Sequence, residues 1–75
     1  MDKSEQIANI LSLLLDKKID KNDDVSMGNC DTWDSMKHIE IITTIEEELN
    51  ISFEIEEIPT LNSMQAIIKK VEDMD

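Results

Sequence analysis

The sequence is poor in several residue types on which large classes of proteins depend. Among 75 residues it has no arginine or tyrosine, and one each of cysteine, glycine, proline, tryptophan and phenylalanine. A single cysteine cannot build a disulfide framework, and no segment approaches the roughly 18 apolar residues of a membrane span. The beginning of the chain also lacks the pattern of a secretory signal. We therefore expect a cytoplasmic protein with no membrane span and an aliphatic core.

Positive charge is scarce as well. Eighteen Asp and Glu residues oppose seven lysines, which gives a formal net charge of −11 and a pI near 4.2. Nucleic-acid binding depends on neutralising phosphates with cationic side chains, so we expect no nucleic-acid partner. Partners should instead carry basic patches. With one histidine and one glycine in a single domain of residues 1–75, we expect a monomeric binding or carrier protein, not an enzyme.

Three segments space apolar residues as an amphipathic helix does. The first ends near Asp16 and is capped by Asp2 or Ser4. Its apolar stripe, which Leu13 and Leu15 widen, consists of Ile7, Ile10, Leu11 and Leu14. The second helix covers residues 35–49. The third begins after a cap at Asn62 or Ser63, and its apolar side consists of Met64, Ile67, Ile68 and Val71.

The connections between these helices differ in kind. Residues 20–34 have no period and form a long loop, which Val25, Met27 and Trp33 should anchor to the core. Residues 51–55 alternate as an extended connector whose apolar side chains plug the core. A short helical turn at about residues 56–58 should follow, and Pro59 should stop it. The sequence therefore predicts an all-α, small four-helix bundle with three long helices, one short helix and a long first loop.

The second predicted helix has two different sides. Its core side consists of His38, Ile41, Ile42, Ile45 and Leu49. The opposite side consists of Met36, Glu40, Thr43 and Glu47, flanked by Ile39 and Glu46. Residues 34–57 contain eight acidic residues and one lysine, a local charge of −7. Such a surface is either simply solvated or a docking site for a basic partner.

Ser35 lies where the long loop meets this helix, and two interpretations of it are open. Ser35 or Asp34 caps the helix, as is common at such junctions. Alternatively, the Ser35 hydroxyl is presented to solvent for modification, where the positive end of the helix favours an attached phosphate. A self-activated nucleophile is not expected, because the only histidine, His38, lies on the core side.

Other side chains in this region have weaker claims to a function. Asp20, Asn22 and Asp24 occupy positions 1, 3 and 5 of a calcium loop, but Val25 replaces its glycine and Asp31 its final glutamate. We expect no dedicated metal site. Cys30 has no basic neighbour to activate its thiol, and we expect it to be a reduced loop cysteine. Trp33 and His38 are interpreted as packing residues.

Residues 33–58, WDSMKHIEIITTIEEELNISFEIEEI, closely resemble the second helix and following loop of the acyl carrier protein family. The family signature is an Asp-Ser-Leu triplet, apolar residues at helical spacing and a run of glutamates. Here the triplet is Asp34-Ser35-Met36, and the run is residues 46–48. The similarity continues through SMQAIIKKV, which resembles the start of the family's last helix, and covers roughly residues 34–71.

This resemblance implies a fold and a function. In the family, a transferase joins 4′-phosphopantetheine from coenzyme A to the serine hydroxyl, and the arm's thiol carries acyl intermediates as thioesters. The attachment residue is then Ser35. The resemblance also implies a surface that acyl-loading and acyl-transferring enzymes read, consisting of Asp34, Met36, Ile39, Glu40, Glu46 and Glu47. Helical spacing places Thr43 on the same side of the second helix, and these seven residues are called here the partner face.

Some residues depart from the pattern of fatty-acid-synthesis members. Trp33 stands where a small residue is frequent, Lys37 where an acidic one is common, and Met36 replaces leucine. The tryptophan and lysine look more like those of discrete carriers outside housekeeping fatty acid synthesis. The cargo therefore stays open among fatty acyl, aminoacyl and polyketide units. The alternative function is an unmodified acidic adaptor that binds a basic partner through the second helix.

Overall fold

The computed structural model describes residues 2–74, which form four helices. Helix α1 covers Lys3–Leu15, α2 covers Ser35–Leu49 and α3 covers Met64–Asp73. A short 3-10 helix, Ile55–Thr60, lies between α2 and α3. The described residues contain no strand, and one isolated β-bridge joins Ser26 to Ser63. The all-α prediction with three long helices and one short helix is confirmed.

Each long helix begins at a polar side chain that accepts a backbone hydrogen bond. Asp2 caps α1 by accepting from the Ser4 amide, and Ser63 caps α3 by accepting from the Ala66 amide at 3.1 Å. Helices α1 and α2 both end at residues with positive φ, Asp16 at 55° and Asn50 at 56°. Short polar side chains tolerate this left-handed backbone better than other non-glycine residues, so these two positions end the helices as glycine otherwise would.

The core is a single, mostly aliphatic cluster that also contains Trp33 and Phe53, and α1 packs against both α2 and α3 within it. Each helix contributes side chains that are almost fully buried. They are Ile7, Leu11 and Leu15 of α1, Ile41 and Ile45 of α2, and Met64, Ile67 and Val71 of α3. These residues belong to the predicted apolar stripes, so the helical spacing located the core.

The long loop of residues 20–34 is packed, as predicted. Val25 and Trp33 are buried, and Met27 lies partly buried against the core. The start of α3 holds the loop in two ways. The Met64 amide donates to the Val25 carbonyl at 2.8 Å, and Gln65 Nε2 donates to the carbonyls of residues 21 and 23. The loop is therefore fixed by backbone hydrogen bonds as well as by its apolar anchors.

Three local predictions are wrong. Leu13 does not widen the core stripe, because its side chain is 81% exposed. Ile55 does not plug the core either, since it begins the 3-10 helix and is 83% exposed, although Phe53 beside it is buried. Pro59 lies inside the 3-10 helix and does not stop it. Proline's fixed φ near −65° matches a 3-10 helix, so this ring is accommodated there.

Candidate functional site

The junction between the long loop and α2 is built around Asp34. Asp34 has extended backbone and is the N-cap, and its Oδ1 accepts a hydrogen bond from the Lys37 amide at 2.8 Å. Ser35 is the first residue of the helix itself. Of the two caps that the sequence left open, the structure has Asp34, and the interpretation of Ser35 as the cap is wrong. The hydroxyl of Ser35 is therefore not used to begin the helix.

Ser35 is exposed to solvent. Its hydroxyl makes no hydrogen bond to any other residue of the described chain, 2–74. It lies in the first turn of α2, where free backbone amides and the helix dipole create positive potential. A shallow depression beside it is lined by Asp34, Met36, Lys37 and Glu40. An incoming anionic group can thus reach the Ser35 oxygen without displacing an existing contact.

Two buried side chains hold this junction in place. Trp33 and His38 are 2% and 6% exposed, and their ring centroids lie 5.9 Å apart. Trp33 Nε1 donates to His38 Nδ1 at 3.1 Å, and His38 Nε2 lies 2.8 Å from the Ile58 carbonyl oxygen. Both ring nitrogens of His38 are engaged, so neither is available to accept a proton from Ser35. The prediction that Trp33 and His38 are packing residues is confirmed.

The structure exposes most of the predicted partner face. Met36 and Ile39 are 84% and 57% exposed, and the other exposed members are Asp34, Glu40, Thr43 and Glu47. Glu46 differs because it is half-buried and its Oε2 accepts a hydrogen bond from the Phe53 amide at 2.7 Å. Glu46 therefore fastens the connector to α2 in addition to adding negative charge near this surface.

Lys37 modifies the charge at one end of the partner face. Its Nζ contacts Glu40 Oε1 at 2.8 Å, one turn further along α2. The hydrogen bond to Glu40 raises the pKa of Lys37, and the negative charges of Glu40 and Asp34 add to this effect. Lys37 thus offsets one acidic charge close to Ser35, while the acidic residues further along α2 have no lysine beside them in the sequence.

The acidic loop residues do not gather into a metal site. Within residues 2–74, no group of three or more His, Cys, Asp or Glu side chains is placed to hold a metal ion. The Asp23 carboxylate accepts from the Asp20 amide at 2.9 Å, so it helps to fold the loop. Lys21 Nζ contacts Asp2 Oδ2 at 3.1 Å, and this bond raises the pKa of Lys21.

Cys30 is a free, buried thiol rather than an exposed one. It is 6% exposed, and its Sγ lies 3.3 Å from the Thr32 hydroxyl, which in turn donates to the Leu15 carbonyl. These contacts link the end of the loop to the end of α1. The thiol is thus a packing group, and it is unpaired, as expected of a reduced loop cysteine.

No protein-family model matches this chain, and no curated protein matches it significantly. Across the described residues, none of the helices combines the length and the apolar character needed to cross a bilayer.

Proposed function

We propose that this chain is an acyl carrier protein that is modified at Ser35. A 4′-phosphopantetheine arm from coenzyme A is joined to the Ser35 hydroxyl, and the thiol of the arm carries acyl or aminoacyl groups as thioesters to partner enzymes. The observation that carries the proposal concerns Ser35. This residue is exposed, its hydroxyl has no hydrogen-bond partner among residues 2–74, and it lies one residue after the helix cap. The resemblance of residues 34–71 to the acyl carrier family gives the arm its identity.

The modification requires an outside catalyst. The Ser35 oxygen attacks a phosphate of coenzyme A, the bond from that phosphorus to the departing nucleotide breaks, and the serine proton leaves to a base of the transferase. This chain supplies the nucleophile and the positive potential of the α2 N-terminus. Its histidine supplies no base, because His38 is buried with both nitrogens engaged.

The partner face supports repeated encounters with several enzymes. The acidic residues of 34–57 attract basic patches over a distance, and exposed ion pairs contribute little to affinity once formed. Met36 and Ile39 add a small apolar contact directly after Ser35. Fast arrival with modest affinity is what a carrier that visits successive enzymes requires.

Intact mass spectrometry tests the proposal. The purified chain is incubated with coenzyme A and a broad-specificity phosphopantetheinyl transferase, and we expect the addition of one phosphopantetheinyl group. Ser35→Ala should abolish the addition, whereas Ser52→Ala, at an exposed serine outside any helix, should not. No mass change in the presence of a transferase active on another carrier would favour the acidic adaptor that binds a basic partner through α2.

A further inference from the structure

A buried series of hydrogen bonds connects Trp33, the residue before the Asp34 cap, to the 3-10 helix. It begins at the indole nitrogen of Trp33, passes through both nitrogens of His38 and ends at the backbone carbonyl of Ile58. Its two side chains are the only tryptophan and the only histidine of the sequence. The rest of the core is almost entirely aliphatic, so this directional contact is unlike the packing around it.

The donor and acceptor roles in this series of hydrogen bonds are fixed. An indole N–H can only donate, so His38 Nδ1 must accept from Trp33. The imidazole proton is therefore on Nε2, and it is donated to the Ile58 carbonyl. Each bond thus orients the next, and the ring of His38 cannot rotate without losing both bonds.

The two residues that make these bonds lie on either side of Ser35 and close to it in the sequence. Trp33 lies two residues before Ser35 and His38 lies three residues after it, and the His38 amide also donates to the Asp34 carbonyl at 2.8 Å. The Trp33 amide is held in turn by the Cys30 carbonyl at 3.1 Å. The backbone on both sides of Ser35 is therefore fixed relative to the 3-10 helix, while its hydroxyl stays free.

We propose that His38 is a positioning residue for the modification of Ser35, an inference that rests on the proposed function. His38 fixes the direction in which the first turn of α2 presents the serine oxygen, and it makes this direction depend on the docking of the 3-10 helix. Apolar substitutions at Trp33 and His38 remove both partners of the bond between them, whereas the Ile58 carbonyl loses its donor and is left unpaired. The same substitutions remove the directional hydrogen bonds. The positioning role of His38 can therefore be measured through kcat, while a control variant accounts for the loss of stability.

The experiment measures kcat and KM for phosphopantetheinyl transfer to full-length variants, at a temperature where circular dichroism shows each to be folded. The Trp33→Phe/His38→Leu double variant removes both bonds, but it places a smaller ring at Trp33 and leaves the Ile58 carbonyl without its donor, so its kcat is compared with that of a variant weakened elsewhere in the core. We expect its kcat to fall by about tenfold, since one hydrogen bond of typical strength corresponds to roughly this factor. Its KM should not change, because the partner face is intact.

Two further variants control for stability and chemistry. Val71→Ala weakens the core of α3 away from the serine and should leave kcat unchanged. His38→Gln keeps a donor that can reach the Ile58 carbonyl, and it should recover much of the activity lost in His38→Leu. The single indole N–H signal in a nitrogen–proton spectrum should shift in His38→Leu and stay near its original position in Val71→Ala.

The outcomes separate the two proposals. Failure of the wild-type chain to accept the arm overturns the proposed function. If the wild type is modified and the double variant has the same kcat as Val71→Ala, the positioning role of His38 is overturned while the proposed function stands. An increase in KM with unchanged kcat also overturns the positioning role. That result would mean that the hydrogen bonds of Trp33 and His38 act on the binding of the transferase and not on the presentation of the serine oxygen.

Discussion

Replacing Asp34 should destabilise the protein, whereas replacing Ser35 should not. The Asp34 carboxylate accepts from the Lys37 amide at 2.8 Å and satisfies one of the amides that begin α2. Loss of such an N-cap to alanine typically costs about 1 kcal/mol. For a domain of this size, about 1 kcal/mol corresponds to a fall of roughly 4–8 °C in the melting temperature.

The matched variants identify the source of this effect. Ser35→Ala removes a hydroxyl that has no partner among residues 2–74, so its melting temperature should lie near that of the wild type. Asp34→Asn keeps a side-chain oxygen able to cap the helix and should recover most of the loss seen in Asp34→Ala. Thermal unfolding of all three proteins, followed by circular dichroism in one buffer, supplies the comparison.

A greater loss of stability in Ser35→Ala than in Asp34→Ala would refute this reasoning. Such a result would mean that the serine hydroxyl begins the helix in solution. It would also contradict the observation on which the proposed function rests, that the Ser35 hydroxyl has no partner among residues 2–74. Equal and large losses would show that both side chains hold the junction, and the serine would again not be free.

Three other measurements follow from particular contacts. Glu46→Ala should lower the free energy of unfolding, measured with urea, by about 1–2 kcal/mol because it leaves the Phe53 amide without its partner. Glu47→Ala, at an exposed residue, should change this free energy little. Equal effects of the two substitutions would contradict the role of Glu46. The hydrogen bond from the Lys70 ammonium lowers the pKa of Glu57 below its ordinary value. This carboxylate therefore stabilises the fold at neutral pH, and the benefit is lost as the pH falls through the lowered pKa. Glu57→Gln should thus be less stable than the wild type at neutral pH and equally stable in strong acid, and a constant difference would argue against the ion pair. The melting temperature should rise with ionic strength through screening of the −11 net charge, whereas a flat response would show that self-repulsion is unimportant.

The sequence was sufficient to locate the helices, because each has a regular apolar period and an identifiable cap. Helix α2 begins at Ser35 and ends at Leu49, as the period and the flanking Asp34 and Asn50 indicated. The apolar sides of α1 and α3 were equally well defined. The sequence also placed Ser35 at the start of this helix, although it could not decide whether Asp34 or Ser35 was the cap.

Features that depend on the packing of distant segments could not be predicted in the same way. Leu13 continues an apolar run, and only the position of α1 against its neighbours turns that side chain outward. Ile55 alternates correctly with Phe53, but the start of the 3-10 helix breaks the alternation and exposes it. The bond between His38 and Ile58 joins residues 20 positions apart, so no local pattern indicates it.

Under the proposed function, the order of the two polar residues at the start of α2 would let this junction be both a helix start and an attachment point. A helix start needs a side-chain acceptor, and an attachment point needs an oxygen that can be consumed. Here Asp34 provides the acceptor, and Ser35 follows it inside the first turn as an exposed residue whose hydroxyl has no partner among residues 2–74. Under the proposed function, the arm would therefore be added without any change at the Asp34 cap, and its phosphodiester charge would lie at the end of the helix where the dipole stabilises an anion.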